Sequence, residues 1–395
     1  MFPIYLDNHA TTHLDPNVLK GMLPFLKITG NASNKLHYYG KCASHAVETA
    51  RCKVAALIQA NPSEIIFTSG ATESNNISIL GSAKSNEHFG NHIITTQIEH
   101  LSILKSVLEL KKQGFSVSFV KPDKYGCISV KSIYNEITKQ TILISVMFAN
   151  NEIGTINPIS EIANLASRYN ILFHTDAVQA IGLTDVSVKN NNIDLLSISG
   201  HKIYGPKGIG ALFVKESIKH KLTSIMFGGN HEYNLRPGTL NVAGIVGLGI
   251  ACDLVKSTSK VYMPKIKLLR DLLETTLTEE LTNIHINGSI KFRLVSNLNV
   301  SFKFIDINEL TLFLAKKIAF SSSSACCSDY TEPSHVIKAI NNVYDDFIYS
   351  SFRFGIGKFN TKKEIILAAK IIISSVKKLL NRSVYINKYK YLNIL

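Results

Sequence analysis

The stretch S-I-S-G-H-K-I-Y-G-P-K-G-I-G, Ser197 to Gly210, carries Lys202 in a glycine-bounded turn directly after a short apolar run. Upstream, I-L-F-H-T-D-A-V-Q-A (Ile171–Ala180) is an apolar run that ends at Asp176, and E-I-I-F-T-S-G-A-T-E-S-N-N (Glu64–Asn76) is another that breaks at Gly70. Short apolar runs closed by glycine or polar turns read as buried strands. A lysine amine forms an imine with an aldehyde, and a carboxylate at a strand end keeps a pyridine nitrogen protonated. A turn that opens a helix offers free N–H groups and a positive dipole end to a phosphate. These are the three parts needed to hold pyridoxal phosphate. Each part alone has a plainer reading: Lys202 as a surface lysine, Asp176 as a capping aspartate, Gly70–Thr72 as an ordinary strand-to-helix turn. Their joint occurrence, in order and at strand ends, favours the cofactor.

On either side of this stretch, the spacing predicts strands at Glu64–Thr68, His92–Gln97, Ser116–Val120, Thr141–Ala149, Ile171–Thr175, Leu195–Ser199 and Gly210–Val214, interleaved with amphipathic stretches such as Ile159–Tyr169. That alternation implies an α/β fold with a mainly parallel sheet covered on both faces. Ligands in such sheets sit beyond the carboxyl ends of the strands, where Thr68, Asp176 and Ser199 fall. The pattern changes after about residue 260. It predicts a long helix at Pro264–Leu281, a strand near Ser296–Phe302, and a capping box of Thr361 with Glu364 ahead of a helix at Ile365–Leu380. The expected organisation is therefore a large cofactor-binding domain over 16–260. A smaller α+β domain is expected from 1–15 and 261–395, carrying an exposed, mobile cysteine loop at 320–335. Asp15-Pro16 reads as a helix start.

Composition narrows the class. With 395 residues, 45% hydrophobic and 18% charged, the chain has the make-up of a folded protein with a large core. No uninterrupted apolar stretch suggests a membrane span, and M-F-P-I-Y-L-D lacks the basic-then-apolar order of a leader. A cytoplasmic location, or a processed mature form, is expected. The net charge of +14 is spread along the chain, so direct nucleic-acid binding is not expected. Only the end, with Lys377, Lys378, Arg382, Lys388 and Lys390, concentrates it, as a solvated tail or a partner-docking one. The six cysteines show neither C-x-x-C pairs nor histidines at ligand spacing, so no metal site or disulfide framework is expected. Cys42, Cys52, Cys127 and Cys252 read as small buried apolar residues.

Further residues fit a site around Lys202. His100, in Q-I-E-H-L-S, follows a strand, and its imidazole suits stacking on a flat ring and moving a proton. Asn151 in F-A-N-N-E-I-G and Gln179 offer neutral hydrogen bonds to a phenolate oxygen. Ser199 and His201 flank the lysine and suit a phosphate. Arg353 in S-S-F-R-F-G-I-G suits an α-carboxylate. Cys326 follows four serines, Ser321 to Ser324, which favours an accessible thiol rather than a core one.

These residues resemble those of the cysteine desulfurases, pyridoxal-phosphate enzymes of the class V aminotransferase group, in the NifS/IscS-like branch. The likeness runs from Y-L-D-N-H-A-T-T (Tyr5–Thr12) to Arg353. It takes in G-N-A-S-N-K-L-H, T-S-G-A-T-E-S-N-N, N-N-E-I-G, H-T-D-A-V-Q, R-P-G-T (Arg236–Thr239) and S-A-C. It implies the fold type I architecture of pyridoxal-phosphate transferases, with a seven-stranded sheet. The implied activity is removal of sulfur from L-cysteine to give L-alanine and a persulfide on Cys326. The implied acceptor is an iron–sulfur scaffold protein or a tRNA-thiolation enzyme, with Cys326 also touching a cluster transiently.

By the same match, Lys202 would hold the cofactor and Asp176 its ring nitrogen, with His100 on the ring face. Ala71, Thr72, Ser199 and His201 would bind phosphate, joined by Thr239 from the second copy of a homodimer. Asn151 and Arg353 would bind substrate. The sequence departs from the family at Ser323, where glycine is usual, at Cys327 for threonine, at Pro237 for serine, and at Tyr233-Asn234 for Arg-Gly. A selenocysteine lyase or aminotransferase on the same fold, and an inactive sulfur-transfer scaffold, are the competing readings.

Overall fold

The computed structural model describes residues 3–27, 29–322, 334–341 and 348–392, with side chains through 382. Residues 323–333, and with them Ser323, Cys326 and Cys327, lie outside the described residues, as do the side chains of Lys388 and Lys390.

Seven strands form the central sheet: β1 (Ile65–Thr68), β2 (His92–Thr96), β3 (Ser116–Val120), β4 (Thr141–Ser145), β5 (Leu172–Asp176), β6 (Leu195–Ser199) and β7 (Gly210–Val214). Their order across the sheet is β1-β7-β6-β5-β4-β2-β3, and all neighbours are parallel except those of β7, which runs antiparallel to both β1 and β6. Most of these strands are buried throughout, because helices cover both faces. Side-chain parity divides them between two cores. Phe67, Phe173, Leu196 and Phe213 enter one; Ile66, Leu172, Leu195 and Leu212 enter the other.

β4 ends at Ser145 rather than Ala149. The chain still follows β5, through Val146 N to His174 O (3.1 Å) and Phe148 N to Asp176 O (2.9 Å). Gly210 is where β7 meets the turn after β1: a side chain there would come within 2.7 Å of the Gly70 Cα.

A third core is built on a four-stranded antiparallel sheet, in the order Ser321–Ser322, Ser351–Gly355, Asn297–Phe302, Ile284–Ile286. Leu298, Val300, Phe352 and Phe354 pack there against Leu273, Leu310, Ile372 and Leu6. Leu6 brings the N-terminal segment along, and Asp7 bridges to Gly355.

This core and the one that holds Phe67 share one helix, Val242–Glu280, 39 residues long. It runs through Pro264 instead of starting there, and the boundary expected at residue 260 falls inside it. Proline removes one helical hydrogen bond, but side chains packed into a core on either side keep the rod continuous. By length and composition this helix could cross a membrane. Its apolar first half is instead buried, with Gly249 so close to the helix Tyr38–Ile58 that a side chain would meet Ala50 Cα at 2.7 Å.

The helix starts follow their signals. Asp15 Oδ1 accepts from Asn17 N at 2.8 Å ahead of Pro16–Lys27. Glu364 accepts from Thr361 N at 2.7 Å ahead of Lys362–Leu392, which extends beyond the expected end at Leu380.

The four cysteines outside the loop are not uniformly buried. Only Cys252 is; Cys42 and Cys127 are half-buried and Cys52 is exposed. The helix Tyr38–Ile58 turns Val47, Ala50, Arg51, Val54 and Ile58 inward. That i, i+3, i+4 stripe leaves position 52 facing out.

Candidate active site

The carboxyl ends of β1, β5 and β6 and the loops after β2 and β4 enclose a cavity of about 820 Å³. Ala71, Thr72, His100, Asn151, Asp176, Gln179, Ser199, His201, Lys202 and Arg353 all line it. Thr239 is exposed and does not.

Asp176 ends β5, and Val178 N donates to its Oδ1 (3.0 Å) while Asn75 Nδ2 donates to its Oδ2 (2.8 Å). Lys202 lies in the short turn after β6, and its Nζ donates to the main-chain carbonyls of His9 and of Ala10 (2.9 Å). Gln179 lines the cavity but is tied to His9 both ways: Nε2 donates to His9 O (3.1 Å), and Oε1 faces His9 Nδ1 (2.7 Å). One amide hydrogen of Gln179 is left for a ligand. Arg353 donates to Asn151 O (2.9 Å), to Ser321 Oγ (2.8 Å) and to Asp7 Oδ1 (3.1 Å).

The anion end is made by the helix Ala71–Asn86. It starts at Gly70 without a side-chain cap, so its first N–H groups open toward the cavity. The acid in that turn, Glu73, also lines the cavity, but its carboxylate is occupied: it accepts from Ser69 N (2.7 Å) and pairs with Arg236 (2.8 Å). What remains is a donor set of backbone N–H groups, the Thr72 and Ser199 hydroxyls and the His201 imidazole, which fits a phosphate. Burial, with Lys202 and Lys207 adding to it, lowers the His201 pKa to about 4, so at neutral pH this ring binds as an uncharged donor. With Asp176 and Lys202 in the same cavity, the residues fit pyridoxal phosphate.

Several participants carry no signal of their own in the sequence. Asn75 sits one helical turn beyond Ala71 inside a motif already singled out, and Ser102 lies two residues past His100. Both reach residues of the site only because the helices Ala71–Asn86 and Leu101–Lys112 pack together. Asp7 and His9 come from the N-terminal segment. His9 is buried between Gln179 and Ser296, and burial, reinforced by Arg353 and Lys202, lowers its pKa to about 3.

Glu99 is fully buried behind His100. Its Oε1 accepts from Thr96 Oγ1 (2.8 Å) and Met147 N (2.9 Å), while Oε2 has no partner. Burial raises its pKa to about 8, with Asp176 pushing the same way.

Stability should therefore depend on pH in two opposed windows. Burial also lowers His174 to about 3. His9 and His174 contribute fully above their ordinary value near 6.5, and that contribution is lost as pH falls toward about 3. Glu99 contributes fully below its ordinary value near 4.5, and that contribution is lost as pH rises toward about 8. Glu99→Gln is expected to remove the second loss, roughly 1.4 kcal/mol per pH unit at most. Denaturant titrations at pH 5 and pH 8 check it; an equal gap between variant and wild type at both pH values would refute the shift.

The Aminotransferase class-V family model matches residues 4–367. The chain is 44% identical over 378 residues to the cysteine desulfurase IscS of Anaeromyxobacter dehalogenans, covering 95% of this chain and 93% of that one. It superposes on a solved NifS-like protein with a TM-score of 0.89 at 33% identity, covering 96% of this chain and all of the other. It also superposes on SspA solved in complex with cysteine, with a TM-score of 0.79 at 34% identity over 91% of this chain.

Proposed function

The chain belongs to the class-V aminotransferase family, and from that premise we propose that it is a pyridoxal-phosphate-dependent cysteine desulfurase. The observation that carries the reading is the convergence of Lys202, Asp176, an uncapped helix N-terminus and Arg353 on one cavity. Bound pyridoxal phosphate supplies an aldehyde and an electron sink that weakens bonds around the α-carbon of an amino acid.

The chain's residues do the rest. Lys202 holds the aldehyde and, once released from it, moves a proton at the substrate α-carbon. Asp176, held by Asn75 and Val178 N, keeps the ring nitrogen protonated. Ala71, Thr72, Ser199 and His201 take the phosphate. Arg353, aimed by Asp7 and Asn151 O, receives the substrate carboxylate as a charged pair, with Asn151 beside it. Cys326 accepts the substrate sulfur. L-Cysteine and the Cys326 thiol become L-alanine and a Cys326 persulfide, a balanced exchange that needs no outside reductant.

Thr239, exposed and away from its own cavity, is read as completing the phosphate site of a second copy, which makes the enzyme a homodimer. Exposed Leu36, Tyr38 and Phe227 leave apolar surface for that copy to cover. The division into domains 16–260 and 1–15 with 261–395, cytoplasmic residence, and an iron–sulfur scaffold or tRNA-thiolation enzyme as sulfur acceptor belong to the same proposal.

Incubation with L-cysteine is expected to yield alanine together with one added sulfur atom on the Cys326 peptide by mass spectrometry. Cys326→Ser should abolish both while cofactor absorbance persists, and Cys327→Ser should abolish neither. Undiminished turnover of the Cys326→Ser enzyme would instead point to an aminotransferase or a selenocysteine lyase.

A further inference from the structure

His100 lines the cavity with Asp176 and Lys202, and its protonation state decides whether it gives or takes a proton there. Ser102 N lies 3.1 Å from His100 Nδ1. A backbone amide only donates, so Nδ1 accepts, and the proton of the neutral ring sits on Nε2. The Ser102 hydroxyl lies 2.8 Å from the same nitrogen.

That hydroxyl is oriented from its other side. Asn75 Nδ2 reaches Asp176 Oδ2 at 2.8 Å and Ser102 Oγ at 2.9 Å. The amide turns its NH₂ toward Asp176, which accepts one hydrogen, and its second hydrogen falls on a lone pair of Ser102 Oγ. The hydroxyl hydrogen is then directed at Nδ1. Asn75, Ser102 and Asp176 are all buried, so water does not compete for the bonds among them, while the His100 ring at the end of the chain is exposed to the cavity. The donors run one way, from Asn75 to Asp176 on one side, and from Asn75 through Ser102 to His100 on the other.

We propose that Asn75 and Ser102 are positioning residues that lock His100 as a neutral Nε2–H imidazole, so that its free nitrogen presents a proton instead of a lone pair. His100 then works as a donor toward the bound substrate, and removal of the α-proton falls to Lys202. A ring protonated on both nitrogens would set an Nδ1–H against the Ser102 N–H, so the network opposes the imidazolium. The surroundings act in both directions: burial, Lys202 and His335 lower the His100 pKa, while Asp176 and Glu152 raise it. Glu99, next in the chain, is itself buried and holds its proton up to about pH 8.

The proposal rests on His100 being a residue of this site, and the test separates the two. Protein labelled with ¹⁵N in the histidine rings is titrated with and without cofactor, the His100 signals being identified by their loss in His100→Gln. The wild-type ring is expected as the Nε2–H tautomer. Ser102→Ala is expected to raise its pKa by about half a unit or more, the worth of one neutral hydrogen bond. The acid limb of kcat/KM should move to higher pH by the same amount, and Ser102→Thr should return both. An Nδ1–H tautomer in the wild type, or a pKa unmoved by Ser102→Ala, would overturn the lock. The wild-type tautomer decides the matter alone if the alanine variant does not fold. Unchanged desulfuration by His100→Gln would remove His100 from the reaction, a failure read separately from the tautomer.

Discussion

Lys202→Ala is expected to lower alanine formation from L-cysteine on the order of 1,000-fold or more, because one side chain is lost from two tasks, covalent attachment and proton transfer. Lys202→Arg should be as inactive: a guanidinium keeps the charge but neither forms the imine nor gives up a proton near neutral pH. The fold should survive both changes. Lys202 is not a core residue, and its bonds run to the carbonyls of His9 and Ala10, which the N-terminal segment holds through its own pairing with Gly355. Borohydride reduction of the wild type should fix the cofactor to the peptide containing Lys202. A label on any other side chain, or a Lys202→Ala enzyme with near wild-type turnover, would bring the account of the site down.

Glu232→Ala is expected to destabilise the protein by about 3 kcal/mol, the cost of leaving the buried Arg51 with only the exposed Glu48 carboxylate (3.3 Å) as its ionic partner. Glu232 accepts from both terminal nitrogens of Arg51 (2.9 and 2.7 Å) and from Phe67 N in β1 (2.7 Å). Neither side chain of the pair is more than 4% exposed. The carboxylate also holds down a strained turn. Glu232, Tyr233 and Asn234 adopt φ of 44°, 56° and 64° in succession, left-handed values that non-glycine residues rarely take.

Four residues on, Arg236 pairs with Glu73 in the first turn of the anion-binding helix. The loss at Glu232 should therefore also weaken cofactor binding. Replacing both partners, Arg51→Met with Glu232→Leu, should cost far less than Glu232→Ala, because no charge is stranded. Denaturant melts of the single and double variants decide it; equal losses would show that the turn itself, not the buried charge, carries the stability.

The fold was legible because its determinants are local. Each main-sheet strand is a short apolar run closed by a turn residue, and Asp15-Pro16 and Thr361 with Glu364 announce their helices. The cavity-lining positions were legible for a related reason: Ala71, Asp176, Ser199 and Lys202 stand where strands end, which is where such sheets bind ligands. The errors lie where one local signal meets a packing demand. Pro264 marks a helix start by itself, yet lies inside a helix gripped by two cores. Cysteine reads as a buried residue on average, yet Cys52 takes the outward side of a helix whose register is set by its neighbours.

By itself, then, the sequence determined the alternation of elements, the strand-end chemistry and the family likeness. It left open the partner of each polar side chain. Asn75 and Asp176 are 101 positions apart, and Arg51 and Glu232 are 181 apart. The packing of the elements decides that Asn75 links Asp176 to Ser102, that His9 occupies Gln179, and that Glu232 pairs with Arg51. The physical reason is that periodicity records which face of an element avoids water. A hydrogen bond depends instead on the packing distance and rotamers of two elements brought together, to within a few tenths of an ångström.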